Sequence, residues 1–172
     1  MNYTFHLTEK CNLNCKYCYE NKGIEDLPFE NIKLVIDSEI KTKNKISTIS
    51  FYGGEPLLRK DVITTATDFP EILFPIFTNG TMLTDDYLKL FDDNRNLVPI
   101  LSIEGDEEIT DYRRGEGVYK KLVDSMELMK KNNVIFGASL TFTNKNMSSL
   151  VSNEFIDKLH DFGCKVVFFI EY

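Results

Sequence analysis

Apolar and polar residues alternate at the start of the chain. Tyr3, Phe5 and Leu7 interleave with Thr4, His6 and Thr8, a period of two that predicts a strand with one apolar and one polar face. From residue 29 to about Lys43 the period lengthens. Ile32, Val35, Ile36 and Ile40 recur at helical spacing and predict a helix with one apolar stripe. Short apolar runs at 49–52, 72–77, 98–103, 134–142 and 166–170 read as five further strands. Between them lie a brief, weakly patterned helix and then one that starts at Thr84-Asp85-Asp86 and runs into Leu88 and Phe91. An amphipathic helix follows, carrying Tyr119, Leu122, Val123, Met126 and Met129. The last helix carries Leu150, Val151, Phe155, Ile156, Leu159 and Phe162, with Gly163 placed as its stop.

Five strand–helix units and a closing strand predict an α/β protein whose parallel sheet carries helices on its outside. A closed eight-unit barrel takes roughly 250 residues, more than the 172 present. The expected fold is therefore an open partial (β/α)6 barrel, with a doubly wound sheet as the other arrangement the pattern allows. No linker, repeat or low-complexity stretch interrupts the chain, so residues 1–172 are expected to be one domain. The sixth strand has no helix after it to cover its apolar face. This leads to the expectation of a chain truncated after strand six, lacking a C-terminal helix or a further domain.

Composition narrows the function classes. With 42% hydrophobic and 27% charged residues, the chain reads as soluble and globular. Its net charge of −7 argues against nonspecific binding to nucleic acid or to anionic membrane. No apolar run approaches the ~18 residues of a spanning helix, and no signal peptide opens the chain, so the cytoplasm is the expected location.

The cysteines are lopsided: Cys11, Cys15 and Cys18 form a C-x3-C-x2-C cluster, and Cys164 stands alone. In a reducing compartment such a cluster reads as a metal site before it reads as disulfides. Three close thiolates suit three corners of an iron–sulfur cubane with one iron left open. They also suit tetrahedral zinc with His6 or Cys164 as fourth ligand, although only one zinc-type C-x2-C pair is present. Three inert thiols are the plain alternative. Cys164 itself reads as a small buried hydrophobe, His6 as a structural histidine and His160 as a solvent-facing one.

Other unusual residues collect at the C-terminal ends of the predicted strands, where parallel α/β sheets place their sites. Gly53-Gly54-Glu55-Pro56 follows the second strand, Thr78-Asn79-Gly80 the third, Glu104-Gly105 the fourth and Thr143-Asn144 the fifth.

C-x3-C-x-aromatic-C after a first strand, with Tyr17 as the aromatic, resembles the radical SAM enzymes, and GGEP after the second strand resembles that family's second motif. The likeness runs from Tyr3 through the sixth strand. It implies that Cys11, Cys15 and Cys18 ligate a [4Fe–4S] cluster whose fourth iron is chelated by S-adenosylmethionine. It further implies one-electron cleavage of that cofactor to methionine and a 5′-deoxyadenosyl radical, which takes hydrogen from a substrate. By the same resemblance, Gly53 and Gly54 admit the methionyl ammonium, Glu55 accepts a hydrogen bond from it and Pro56 stiffens the turn. Tyr17 lies near the adenine, Ser102 contacts the methionyl carboxylate or ribose, and Arg114, or Arg113 in its place, pairs with the carboxylate. Glu104 stands where the peptide-modifying branch has Asp in a Ser-x-Asp-Gly segment. Asn79 and Asn144 are expected as polar groups of the pocket. The implied partners are a flavodoxin or ferredoxin as electron donor, docking near Lys10, Lys16 and Lys22, and a substrate of peptide or protein character. The alternative function is a non-catalytic zinc- or iron–sulfur-binding module.

Overall fold

The structure is a computed structural model and describes residues 1–42 and 45–172. Its strands are β1 (Asn2–His6), β2 (Thr48–Tyr52), β3 (Phe74–Thr78), β4 (Leu97–Ile103), β5 (Gly137–Phe142) and β6 (Val167–Glu171). All pair in parallel, in the order β1-β2-β3-β4-β5-β6. A doubly wound sheet reverses its strand order at a switch point. This sheet adds each new strand to the same edge and curls into a half-barrel, so the partial-barrel expectation holds.

Alternation along the strands sorts residues into two layers. Ile49, Phe51, Phe74, Ile76, Leu101, Ile103, Ala138 and Leu140 are each at most 1% exposed and face the helices. There they meet Ile32 and Ile36 of α1 (Phe29–Lys41), Val62 and Ile63 of α2 (Lys60–Thr65), and Leu88 and Phe91 of α3 (Asp85–Asp93). The opposite strand faces carry Tyr52, Phe77, Ser102, Ser139, Thr141 and Ile170, which line the mouth of the half-barrel. Inside it, Tyr52 stacks on Phe77 at 4.0 Å between ring centres, and Phe77 meets Phe168 edge-on at 5.5 Å.

The expected end of the first helix at Lys43 lies outside the described residues. Elsewhere helix boundaries depart from the sequence pattern at two places. The helix expected over 150–162 is two, α6 (Met147–Leu150) and α7 (Asn153–Asp161), because Ser152 caps the second by accepting from the Phe155 amide at 3.2 Å. An unexpected helix, α4 (Glu107–Arg114), precedes the amphipathic α5 (Val118–Lys131). Asp106 caps α4, with Glu107 and Glu108 in its first turn and Arg113 and Arg114 in its last, charges placed with its dipole. Among the described residues no helix is long and apolar enough to cross a membrane.

Candidate functional site

The cysteine segment is a loop closed at its neck. Leu27 donates its amide to the Leu7 carbonyl at 2.9 Å, Glu9 donates to Glu25 at 3.0 Å, and the Thr8 hydroxyl donates to Asp26 at 2.6 Å. From below, the Arg59 guanidinium donates to the carbonyls of Leu7 (3.1 Å) and Leu27 (2.9 Å), tying both ends together.

GGEP docks against this loop. The Gly54 amide donates to Thr8 at 2.7 Å and the Glu55 amide to Lys10 at 2.8 Å. A Cβ on Gly54 would stand 2.2 Å from the Lys10 carbonyl oxygen, and one on Gly53, where φ is +143°, 2.6 Å from that of Thr8. The two glycines thus serve backbone-to-backbone contact with the cysteine loop as well as opening onto the cavity. Glu55 is fully buried and does not line the cavity. Its carboxylate accepts from the Leu57 amide (2.9 Å), the Thr78 hydroxyl (2.6 Å) and the Asn79 amide (2.8 Å), so it fastens the β2 turn to the end of β3. Burial pushes its pKa up, and these three hydrogen bonds oppose the shift. Pro56 is buried and opens a single 3-10 turn.

A cavity of about 370 Å³ at the C-terminal rim brings together Cys11, Cys15, Cys18, Gly53, Gly54, Asn79, Ser102 and Arg114. Asn79 donates to Asn12 at 2.8 Å and sits 3.9 Å from the Cys11 sulfur. Backbone amides of Leu13 and Glu20 point at the sulfurs of Cys11 (3.4 Å) and Cys18 (3.5 Å). Burial raises the thiol pKa of Cys11 and Cys15, and the positive charge of Arg114 works against it at Cys15.

Among the described residues no three His, Cys, Asp or Glu side chains converge as ligands of one metal ion. The three thiols border one cavity, and a trio of thiolates is a donor set that fits a multi-iron cluster. Cys164, weighed as a fourth zinc ligand, is buried by the start of β6, at the far end of the strands from the other three, and donates to the Val166 carbonyl at 3.2 Å. His6 pairs with Glu20 at 2.8 Å.

Glu104 is also fully buried and off the cavity wall. It accepts from Arg113 Nη1 at 2.9 Å and holds Arg114 by a two-pronged contact of 2.5 and 2.6 Å. Its extra methylene relative to Asp is thus turned toward α4. Burial disfavours the Arg114 charge, Glu104 more than restores it, and its pKa lies above the ordinary arginine value.

Tyr17 and Asn144 border a second cavity, of about 580 Å³, shared with Tyr112, Asn146 and Tyr172. Arg113, which lines the first cavity, lies with its guanidinium 4.6 Å from the centre of the Tyr17 ring. The three lysines expected to form a docking patch all have partners within the chain: Lys10 pairs with Asp26 at 2.6 Å, Lys16 lies 3.6 Å over the Tyr112 ring, and Lys22 donates to Leu13 and Asn14.

Several site residues escaped the sequence reading. Asn146 donates to the carbonyls of Glu104 and Thr141, both at 3.0 Å, and holds the β4 and β5 ends together. Ser139 and Thr141 face the cavity, with Ser139 directly beside Ser102 in the sheet. Their signal was available, as hydroxyls at alternate positions in an apolar strand.

A family model described as the radical SAM superfamily matches residues 5–152. An uncharacterized protein of Methanocaldococcus jannaschii is 32% identical, covering 95% of this chain and 59% of that protein. A cysteine-type anaerobic sulfatase-maturating enzyme of Clostridium novyi is 28% identical, covering 90% of this chain and 45% of its own. The crystal structure of Streptococcus suis SuiB bound to S-adenosylmethionine superimposes with a TM-score of 0.82 at 14% identity, covering 99% of this chain and 40% of that one. The same protein, bound to its precursor peptide SuiA, gives 0.80. The chain spans about half the length of the curated relatives it matches.

Proposed function

The chain belongs to the radical SAM superfamily, a family of enzymes, and we propose that it holds a [4Fe–4S] cluster on Cys11, Cys15 and Cys18 with S-adenosylmethionine beside it. The observation that carries this reading is the single cavity onto which three thiols, a glycine pair and a buried guanidinium all open. When bound, cluster and cofactor together supply one-electron cleavage of a sulfonium C–S bond and a 5′-deoxyadenosyl radical able to take hydrogen from substrate.

The chain's own residues supply position and dryness. The three thiols give up their protons on ligation, which makes metal uptake pH-dependent. Gly53 and Gly54 present bare backbone to the methionyl ammonium. Arg114, held charged by Glu104, faces the cofactor's carboxylate with Ser102 near it. Glu55 and Glu104 act one layer back, the first bracing the glycine turn and the second aiming the arginines. Tyr17 and Asn144, which border the second cavity, would hold the adenosyl end. Tyr52, Phe77 and Ile170 exclude water from the floor.

We read residues 1–172 as one core domain, on the strength of one sheet and one continuous apolar core. The substrate proposed is a peptide or protein, supported by the sulfatase-maturating relative and by the peptide-bound SuiB structure. The electron donor proposed is a flavodoxin or ferredoxin.

The test is EPR of the anaerobically reconstituted, dithionite-reduced protein with and without S-adenosylmethionine. A [4Fe–4S]⁺ signal that changes on adding the cofactor is expected. Absence of any cubane, or stoichiometric zinc in its place, would overturn the reading. A signal indifferent to the cofactor would reassign the cluster to electron transfer.

A further inference from the structure

We propose that Arg113 is a positioning residue for the cysteine loop. Its guanidinium locks residues 15–20 onto α4 and onto the end of β6, so that the thiols hold their arrangement before any metal arrives. This rests on the cluster reading for its purpose, though the lock itself is a property of the metal-free chain.

Arg113 is 4% exposed and makes contacts that Arg114 does not. Its Nε donates to the Tyr17 carbonyl at 3.2 Å, and its own carbonyl accepts from the Lys16 amide at 2.8 Å. Both contacts fall between Cys15 and Cys18. The guanidinium lies 4.6 Å from the Tyr17 ring centre, 5.9 Å from Tyr19 and 6.0 Å from Tyr172. The rings also touch one another, Tyr172 lying 5.2 Å from Tyr17 and 5.0 Å from Tyr19. The Tyr19 hydroxyl donates to the Glu171 carbonyl at 2.9 Å.

One cation therefore sits among three aromatic faces, two from the loop and one from the residue after β6. Electrostatics explains why a cation is stable there. Glu104 carries one negative charge and faces two guanidiniums, so the trio keeps an excess positive charge in a buried place. Ring faces and a carbonyl oxygen are what a desolvated guanidinium can use when no second carboxylate is present. β1 and β6 are not paired with each other, and this contact spans the open side of the half-barrel between them.

The experiment compares hydrogen exchange of metal-free wild type, Arg113→Met, Arg113→Lys and Tyr19→Phe. Arg113→Met leaves Glu104 and Arg114 as a neutral pair, so the buried carboxylate keeps a partner. It should speed exchange at amides 16–20 and 171–172 by roughly tenfold or more, the scale of losing a hydrogen bond to a charged group. Amides of β3 and α5 should stay as protected as in wild type. Arg113→Lys should recover part of the protection. Tyr19→Phe removes only the hydroxyl of a 54% exposed ring, so it tests the tether to β6 even if Arg113→Met fails to fold.

In the reconstituted protein, Arg113→Met should lower the cluster's reduction potential, since a nearby positive charge favours the reduced form. Arg113→Lys should restore it. Unchanged protection of 16–20 in Arg113→Met, or of 171–172 in Tyr19→Phe, would overturn the lock. Failure of wild type to take up iron would overturn the cluster reading alone, because the protection is measured without metal.

Discussion

At the residue scale, small changes at Gly54 and Glu55 have large consequences because both face backbone. Gly54→Ala places a methyl against the Lys10 carbonyl and is expected to cost roughly 1–3 kcal/mol, as overpacking does, read from the denaturant midpoint. Glu55 adds a pH dependence. Its folded-state pKa is raised by burial, so the folded chain holds this proton more tightly than the unfolded one. Stability from this group is fully present below the unfolded pKa and falls as pH rises through the folded one. Glu55→Gln is expected to flatten that part of the profile when denaturation is followed against pH. The sequence disclosed that these residues matter and where they lie along the chain. It did not disclose that both glutamates turn away from the cavity. The direction of Glu55 is decided by donors such as Thr78, brought near only when β2 and β3 pair, and that of Glu104 by the arginines of α4, a helix that no apolar stripe marks.

Elements were legible in proportion to how apolar their buried faces are. α5 and α7 announce themselves through Leu122, Met126, Phe155 and Leu159. α4 is silent because the residues it buries are Thr110 and Arg113, so no apolar stripe marks it. The break between α6 and α7 was equally hidden, since Val151 continues the helical period while Ser152 interrupts the backbone. Ser152→Ala is expected to cost about 1 kcal/mol by removing the cap of α7, a loss measurable by equilibrium unfolding.

For the molecule as a whole, the strand order follows from the alternation of strand and helix, and the position of the site follows from parallel sheets having one functional end. What could not be foreseen is the division of the rim into two adjoining cavities, because Arg113 and the tyrosines meet only after the sheet has curled. Binding at that rim couples to folding. Cluster loading is expected to raise the thermal midpoint, and a strong iron chelator to return it to the metal-free value, as for any group bound by the native state alone.

The consecutive strand order also bears on synthesis. A sheet that grows by one edge can assemble as the chain leaves the ribosome, and the three thiols leave it before β2 to β6 do. Arg113 follows Tyr17 by 96 residues, an interval of roughly 5–20 s at ordinary translation rates. Throughout that interval the nascent thiols lack the wall that later shelters them. If the proposed cluster is built on these thiols, the timing of iron delivery, and protection from oxygen until then, are problems for the cell before they are problems for the enzyme.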